Sequence, residues 1–280
     1  MNLHDIACAI EAIAPRELQE SYDNAGLQCG DPRMEVSRVL TCLDITEEVI
    51  DEAHRRGCQL VVSHHPLLFH GLKVVNPEKD YISRILMAAI RYGIGIYSAH
   101  TNLDKAEGGI NHRLAALLEL NDVFPMSECG VIGTLPRPLE ASQLLQFICQ
   151  RLTPAGVDAA DACHLRWNRE SKVGTVHRLA LCGGSGSDFI TEAEALGAEA
   201  FLTGEMHYHS WFGHPDILLI EAGHFETEQI APVLLADIIQ QACPDVECLP
   251  TNCHHSPFYH YLCEHFDKLK TETDNNKKGR

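Results

Sequence analysis

Residues 39–66 (VLTCLDITEEVIDEAHRRGCQLVVSHHP) and 179–209 (LALCGGSGSDFITEAEALGAEAFLTGEMHYH) spell one structural unit twice. Each is an apolar strand, a turn, a helix closing near a glycine, and a second apolar strand. With an offset of 140 and no gap, Leu40–Ser63 falls on Ala180–Thr203. Both second strands run into polar, histidine-bearing sequence: Ser63-His64-His65-Pro66 in one copy, Thr203-Gly204-Glu205 with His207 and His209 in the other. A further strand then ends in a histidine with a carboxylate four residues on. These are IGIYSAHTNLD, with His100 and Asp104, and ILLIEAGHFETE, with His224 and Glu228. The alternation of strand and helix predicts an α/β fold. We expect two lobes with pseudo-twofold-related strand–helix–strand units around a mixed sheet, equivalent strands lying beside one another.

In open α/β sheets, ligands gather beyond the carboxyl ends of the strands. His64, His65, Asp104, His224 and Glu228 are all expected there, despite their separation in the chain. Three imidazoles and two carboxylates suit Fe, Zn, Mn, Co or Ni rather than Ca. Five donors exceed what one catalytic ion with an open position uses. Two divalent ions sharing a bridging carboxylate would use them all. Pro66 interrupts the strand just after the paired histidines, which frees both from strict alternation. His224 and Glu228, four apart, share one helical face. Asp104 also suits the N-cap of a helix beginning at GGINHRLAALL, though the ligand role is preferred. His100, Glu205 and His209 suit supporting or substrate-facing positions as well as structural ones. His54, His70, His112, His207 and His214 read as surface or packing residues.

The remaining sequence narrows the function classes. Lys plus Arg number 22 against 39 Asp plus Glu, a net charge of −17. Such a field repels phosphate backbones, and no basic patch with interleaved aromatics offsets it, so nucleic acid is not an expected partner. The start, MNLHDIACAIEAIAP, lacks a basic n-region, and no apolar run reaches membrane-spanning length, so a cytoplasmic location is expected. The 12 cysteines include no C-x-x-C pair, and most sit in apolar runs where a thiol behaves as a small hydrophobe. Cys243, Cys248 and Cys253, followed by His254-His255, have the wrong spacing for common zinc ribbons. GGSGSD (183–188) fits neither a Walker A loop nor G-x-G-x-x-G and reads as a tight turn. We divide the chain into a first α/β half (1–123), a small inserted segment (124–175), a second half (176–265) and a charged tail (266–280) expected to be disordered.

DNAGLQCGD, SHHPLLFHGL, YSAHTNLDKAEGGIN, CGGSG, TGEMHYH and EAGHFETE resemble, in order, the motifs of the GTP cyclohydrolase type 2 homologues, also called NIF3-like or DUF34 proteins. The resemblance runs from about residue 1 to 262, and the short 124–175 segment is similar to that of the compact bacterial members. It implies a two-lobed α/β protein with a dinuclear metal centre on the same five residues, assembled as a homo-hexamer, a trimer of dimers. It also implies a metal-dependent hydrolase that opens the imidazole ring of GTP and releases formate. His209 or His100 would then move protons. Against a triphosphate substrate stands the lack of a dense cationic clamp, with only Lys73 and Lys105 near the motifs. The alternative is a metal-binding or metal-delivery protein acting through partners without turnover.

Overall fold

The structure, a computed structural model, describes residues 1–127, 129–154 and 162–258. The tail expected at 266–280 lies outside the described residues. The chain begins with α1 (Leu3–Ile13), β1 (Gly26–Cys29), β2 (Arg38–Cys42), α2 (Glu47–Arg55) and β3 (Leu60–Ser63). There follow α3 (Tyr81–Tyr92), β4 (Gly95–Ser98), α4 (Thr101–Lys105) and α5 (Ile110–Leu117). Next come β5 (Asn121–Pro125), β6 (Val131–Glu140), α6 (Ala141–Leu152), β7 (Arg166–Trp167), β8 (Thr175–Ser185) and α7 (Ile190–Ala195). The last elements are β9 (Ala200–Glu205), β10 (Leu218–Glu221), α8 (His224–Glu228), α9 (Ala231–Ala242) and β11 (Glu247–Pro250).

These strands form two mixed sheets, ordered β1-β4-β3-β2-β11 and β5-β6-β8-β9-β10-β7. The α/β class is as expected, and the repeat is visible in the strand register. Leu40 pairs with Val61 and Cys42 with Ser63 in the first sheet; Ala180 pairs with Phe201 and Cys182 with Thr203 in the second. Each of these second-sheet residues stands 140 beyond its counterpart. The outer strand is repeated too, since β1 runs antiparallel to β4 and β7 antiparallel to β10. The turn out of each helix uses a glycine in the left-handed region, Gly57 (φ 68°) and Gly197 (φ 76°).

Equivalent strands do not lie side by side, because the free edge of each innermost strand is already taken. β2 pairs with β11, and β8 with β6. Each unit therefore builds its own sheet. The 124–175 segment carries β6, α6 and β7, and both strands join the second sheet. Leu144, Ile148 and Leu152 of α6 are buried with Leu179, Leu181 and Leu202 in one core. The chain then returns to the first sheet through α9 and β11, so residues 231–250 belong structurally to the first half.

Alternation along the strands buries both faces of each sheet, as parallel strands covered by helices require. Val39, Leu60, Val62 and Tyr97 pack with α1 and α9, while Leu40, Val61 and Ile96 pack with α2 and α3. In the second sheet, Leu181, Leu202 and Ile220 face α5 and α6, and Ala180, Phe201 and Leu219 face α7. Among the described residues, no helix is long and apolar enough to cross a membrane.

Candidate metal centre

The carboxyl ends of β3, β4 and β10 bring the five expected residues together. His64 and His65 follow β3 directly, their backbone N–H groups donating to Cys42 O (3.1 Å) and Leu43 O (3.0 Å). Asp104 is the fourth residue of α4 and no N-cap; the helix after it is capped by Gly109. His224 and Glu228 open and close α8, the short helix after β10. Three groups of donor atoms result: His64, Asp104 and Glu228; His65, His224 and Glu228; and His64, His65 and His100. Within each group the donor atoms lie within 4.8 Å of one another.

Glu228 joins the first two groups through its separate oxygens. Its Oε1 is 3.8 Å from His64 Nε2, while its Oε2 is 2.9 Å from His65 Nε2 and 3.0 Å from His224 Nε2. His64 Nε2 and Asp104 Oδ1 stand 3.4 Å apart. Both of these atoms are buried and have no hydrogen-bond partner among the described residues. Burying unpartnered polar atoms is costly. A divalent ion between them would satisfy both, so the donor set fits a metal.

The other nitrogens of the imidazoles are already engaged. His64 Nδ1 donates to Ala99 O (2.8 Å), which fixes its tautomer and leaves Nε2 as the donor atom for a ligand. His65 Nδ1 meets Asp44 Oδ1 at 2.7 Å, and His100 Nδ1 meets Asp23 Oδ1 at 2.8 Å. His224 Nδ1 lies 3.4 Å from Glu205 Oε2. Carboxylates behind histidines orient the rings and raise their basicity as ligands. Asp23 is tied down in turn by the backbone N–H and hydroxyl of Thr101.

The charges answer to one another. Burial would lower the His65 imidazole, but Asp44 and Glu228 outweigh it and raise its pKa to about 10. Burial likewise opposes the rise of His224 to about 9, which Glu228 drives. Asp104 is pushed up to about 6, by burial first and then by repulsion from Glu228. Despite its burial, Glu228 is held well below the usual carboxylate range by the three imidazoles. Without metal the cluster collects protons, and those are the charges a divalent cation displaces.

His100 thus joins the cluster as a further possible donor. His209 does not; it is exposed on the turn 208–211, its ring edge-on to Tyr208. Glu205 reaches the cluster through His224. Cys243, Cys248 and Cys253 belong to no potential metal group among the described residues. Asp23 and Asp44 were not singled out from the sequence. The signal for Asp44 was its place just past the end of β2, beside the strand end that carries the paired histidines.

A model of the family Duf34/NIF3 (NGG1p interacting factor 3) matches residues 1–257. A GTP cyclohydrolase 1 type 2 homolog of Clostridium perfringens is 32% identical, over 92% of this chain and 99% of its own length. A protein of the same name from Streptomyces coelicolor is 34% identical, over 81% of each chain. In fold, the chain is similar to a Bacillus cereus protein related to NIF3, with a TM-score of 0.83, 22% identity and coverage of 94% and 99%. The chain belongs to the Duf34/NIF3 family.

Proposed function

We propose that the chain is a dinuclear metal-dependent hydrolase that opens a heterocyclic or cyclic amide bond, with GTP cyclohydrolase-like ring opening the first activity to test. The observation that carries this reading is Glu228, whose two oxygens face two different donor groups. His64 and Asp104 would hold one ion, His65 and His224 the other, with Glu228 shared; Fe, Zn, Mn or Ni all suit these donors. Such ions would acidify bound water and polarise a substrate carbonyl or ring carbon.

The chain's own residues supply the rest. Asp44, Asp23 and Glu205 orient the imidazoles from behind. His64 and Glu228 are buried, whereas His65, His100 and His224 are only partly so, which leaves the centre one accessible side. Cavities of about 610 Å³ beside Asp104 and about 280 Å³ beside His65 adjoin it. An accessible side favours turnover over pure metal storage. His100, held at Nδ1 by Asp23, keeps Nε2 to hold or move a proton, and His209 is the second candidate for that role. Lys105 is occupied by Glu20 at 2.6 Å, so it is not free to clamp a triphosphate.

The test is turnover by protein loaded with two ions, offered GTP and small cyclic amides. Ring opening that disappears in Asp104→Ala supports the reading. A protein holding two ions without turnover on any of these points to metal delivery. His209 lies outside the cluster, so His209→Ala tests the second candidate: a rate loss of roughly 10²–10⁴-fold with metal content unchanged assigns it the proton-moving role, and an unchanged rate leaves that role to His100. We also propose the homo-hexamer. Edge strand β5 carries Phe124, 52% exposed, and an open edge of this kind calls for cover. Light scattering should give six times 31.1 kDa; a stable monomer at micromolar concentration rules it out.

A further inference from the structure

Two aromatic side chains beside the centre are neither core nor metal donors. Phe69, 36% exposed, sets its ring edge-on to His100, with centroids 6.1 Å apart at 83°. Tyr22, 65% exposed, leans on Phe69 at 6.3 Å. His100 in turn lies 5.2 Å from the ring of His64 and 5.5 Å from that of His65. The aromatic pair therefore continues directly from the donor cluster toward solvent.

The pair is held in place rather than left loose. Asn24 Nδ2 donates to Leu68 O (2.6 Å), and Leu68 N donates to Gln28 Oε1 (3.0 Å). Gln28 Nε2 also donates to Asn24 O at 2.6 Å, closing the loop on itself. Thus residues 22–28 clamp the backbone just before Phe69, while Asp23 of the same loop holds His100. One short loop sets the aromatic surface and the imidazole at a fixed relation. Large exposed aromatics are costly to present to water, and a clamped pair beside a reactive centre is what a stacking surface requires.

We infer that Tyr22 and Phe69 form the wall on which the planar heteroaromatic ring of the substrate stacks beside the metal centre. This rests on the hydrolase reading, of which it names the substrate's shape. The surface carries no charge of its own, so it selects for flatness and π-area, which a saturated cyclic amide lacks.

The probes are guanosine and, as a saturated control, 2-piperidone, titrated calorimetrically into metal-loaded protein. Guanosine should bind the more tightly. Phe69→Ala should weaken guanosine roughly 5- to 100-fold and leave 2-piperidone and the metal content unchanged, with Phe69→Tyr restoring affinity. Tyr22→Ala should have a smaller effect in the same direction, and Tyr22→Phe little. Guanosine binding that is absent, no tighter than 2-piperidone, or indifferent to Phe69→Ala overturns the inference. Stacking that depends on Phe69 without any turnover would keep this wall and discard the hydrolase reading. Turnover of GTP at an unchanged KM in Phe69→Ala would do the opposite.

Discussion

The two copies of the strand–helix–strand unit share a register and differ where it matters chemically. Past β3 stand His64 and His65; at the same places in the second copy stand Gly204 and Glu205. Past β2 stands Asp44, matched by Gly184. Packing explains the glycines. A Cβ on Gly204 would lie 2.6 Å from Gly184 O and 2.7 Å from Thr227 Oγ1, and one on Gly184 would collide with Glu228 Oε1. In the second copy, α8 folds across the strand ends and presents Glu228 to the middle; in the first, the strand ends themselves carry the imidazoles. The approximate symmetry thus yields one shared centre instead of two. A duplicated scaffold can hold a single site when one copy gives up its side chains so that the other's can meet a common carboxylate.

Removing that carboxylate should be the most severe test of the contrast. On the proposed dinuclear reading, Glu228→Ala should take bound metal from two equivalents to well under one, because both donor groups lose their shared member; elemental analysis of protein purified without chelator reads this directly. Retention of both ions would show that the copies bind metal independently. Gly204→Ala attacks the other side of the comparison. Forcing a methyl against Gly184 O should cost about 3 kcal/mol in denaturant unfolding, the upper end for overpacking, and a neutral result would mean the second copy could have carried a side chain there.

Smaller effects separate the supports from the donors. Asp44→Asn leaves His65 in place but weakens the carboxylate behind it, so metal affinity should fall roughly 10- to 100-fold with the fold intact. An unchanged dissociation constant in a competition titration would deny Asp44 its orienting role. Protonation gives a related readout. The folded-state value of about 10 for His65 lies above its ordinary 6.5, so in metal-free protein its stabilising charge is complete below pH 6.5. That contribution is lost as the pH rises through about 10. Melting temperatures of chelator-treated protein should therefore decline across that window, and those of loaded protein should stay flatter.

The smallest difference lies on the helices. Glu52 and Glu192 are repeat partners, 140 apart. Glu52 is buried and binds Thr251 Oγ1 (2.5 Å), Asn252 N (3.0 Å) and Arg56 Nη1 (2.6 Å), tying α2 to the chain after β11. Burial alone would raise its pKa, but these bonds bring it down to about 2. Glu192, half-buried, accepts from Ser127 N at 2.5 Å. Glu52→Gln should cost about 1–3 kcal/mol at pH 7 and progressively less as the pH drops from 4.5 through 2. Glu192→Gln should stay within roughly 0.5 kcal/mol. Equal costs would remove the asymmetry.

The chain's sequence by itself determined the duplicated unit, because apolar periodicity and a left-handed glycine at the helix exit are local requirements that repeat with the residues. It also marked the five residues of the candidate cluster, since histidines and carboxylates just past strand ends gather at the carboxyl edge of each sheet; that the two edges meet was decided by tertiary structure. The partition into two sheets was decided only by tertiary structure. β6 and β11 claim the inner edges, and nothing within the repeat encodes which distant strand arrives there. The supports were decided in the same way. Asp23 reaches His100 across 77 residues and Asp44 reaches His65 across 21, and a carboxylate in a turn has the same local signature whether or not an imidazole packs against it. Packing alone explains why Gly184 and Gly204 are bare, because the group that excludes their side chains, α8 with Glu228, comes from a segment later in the chain.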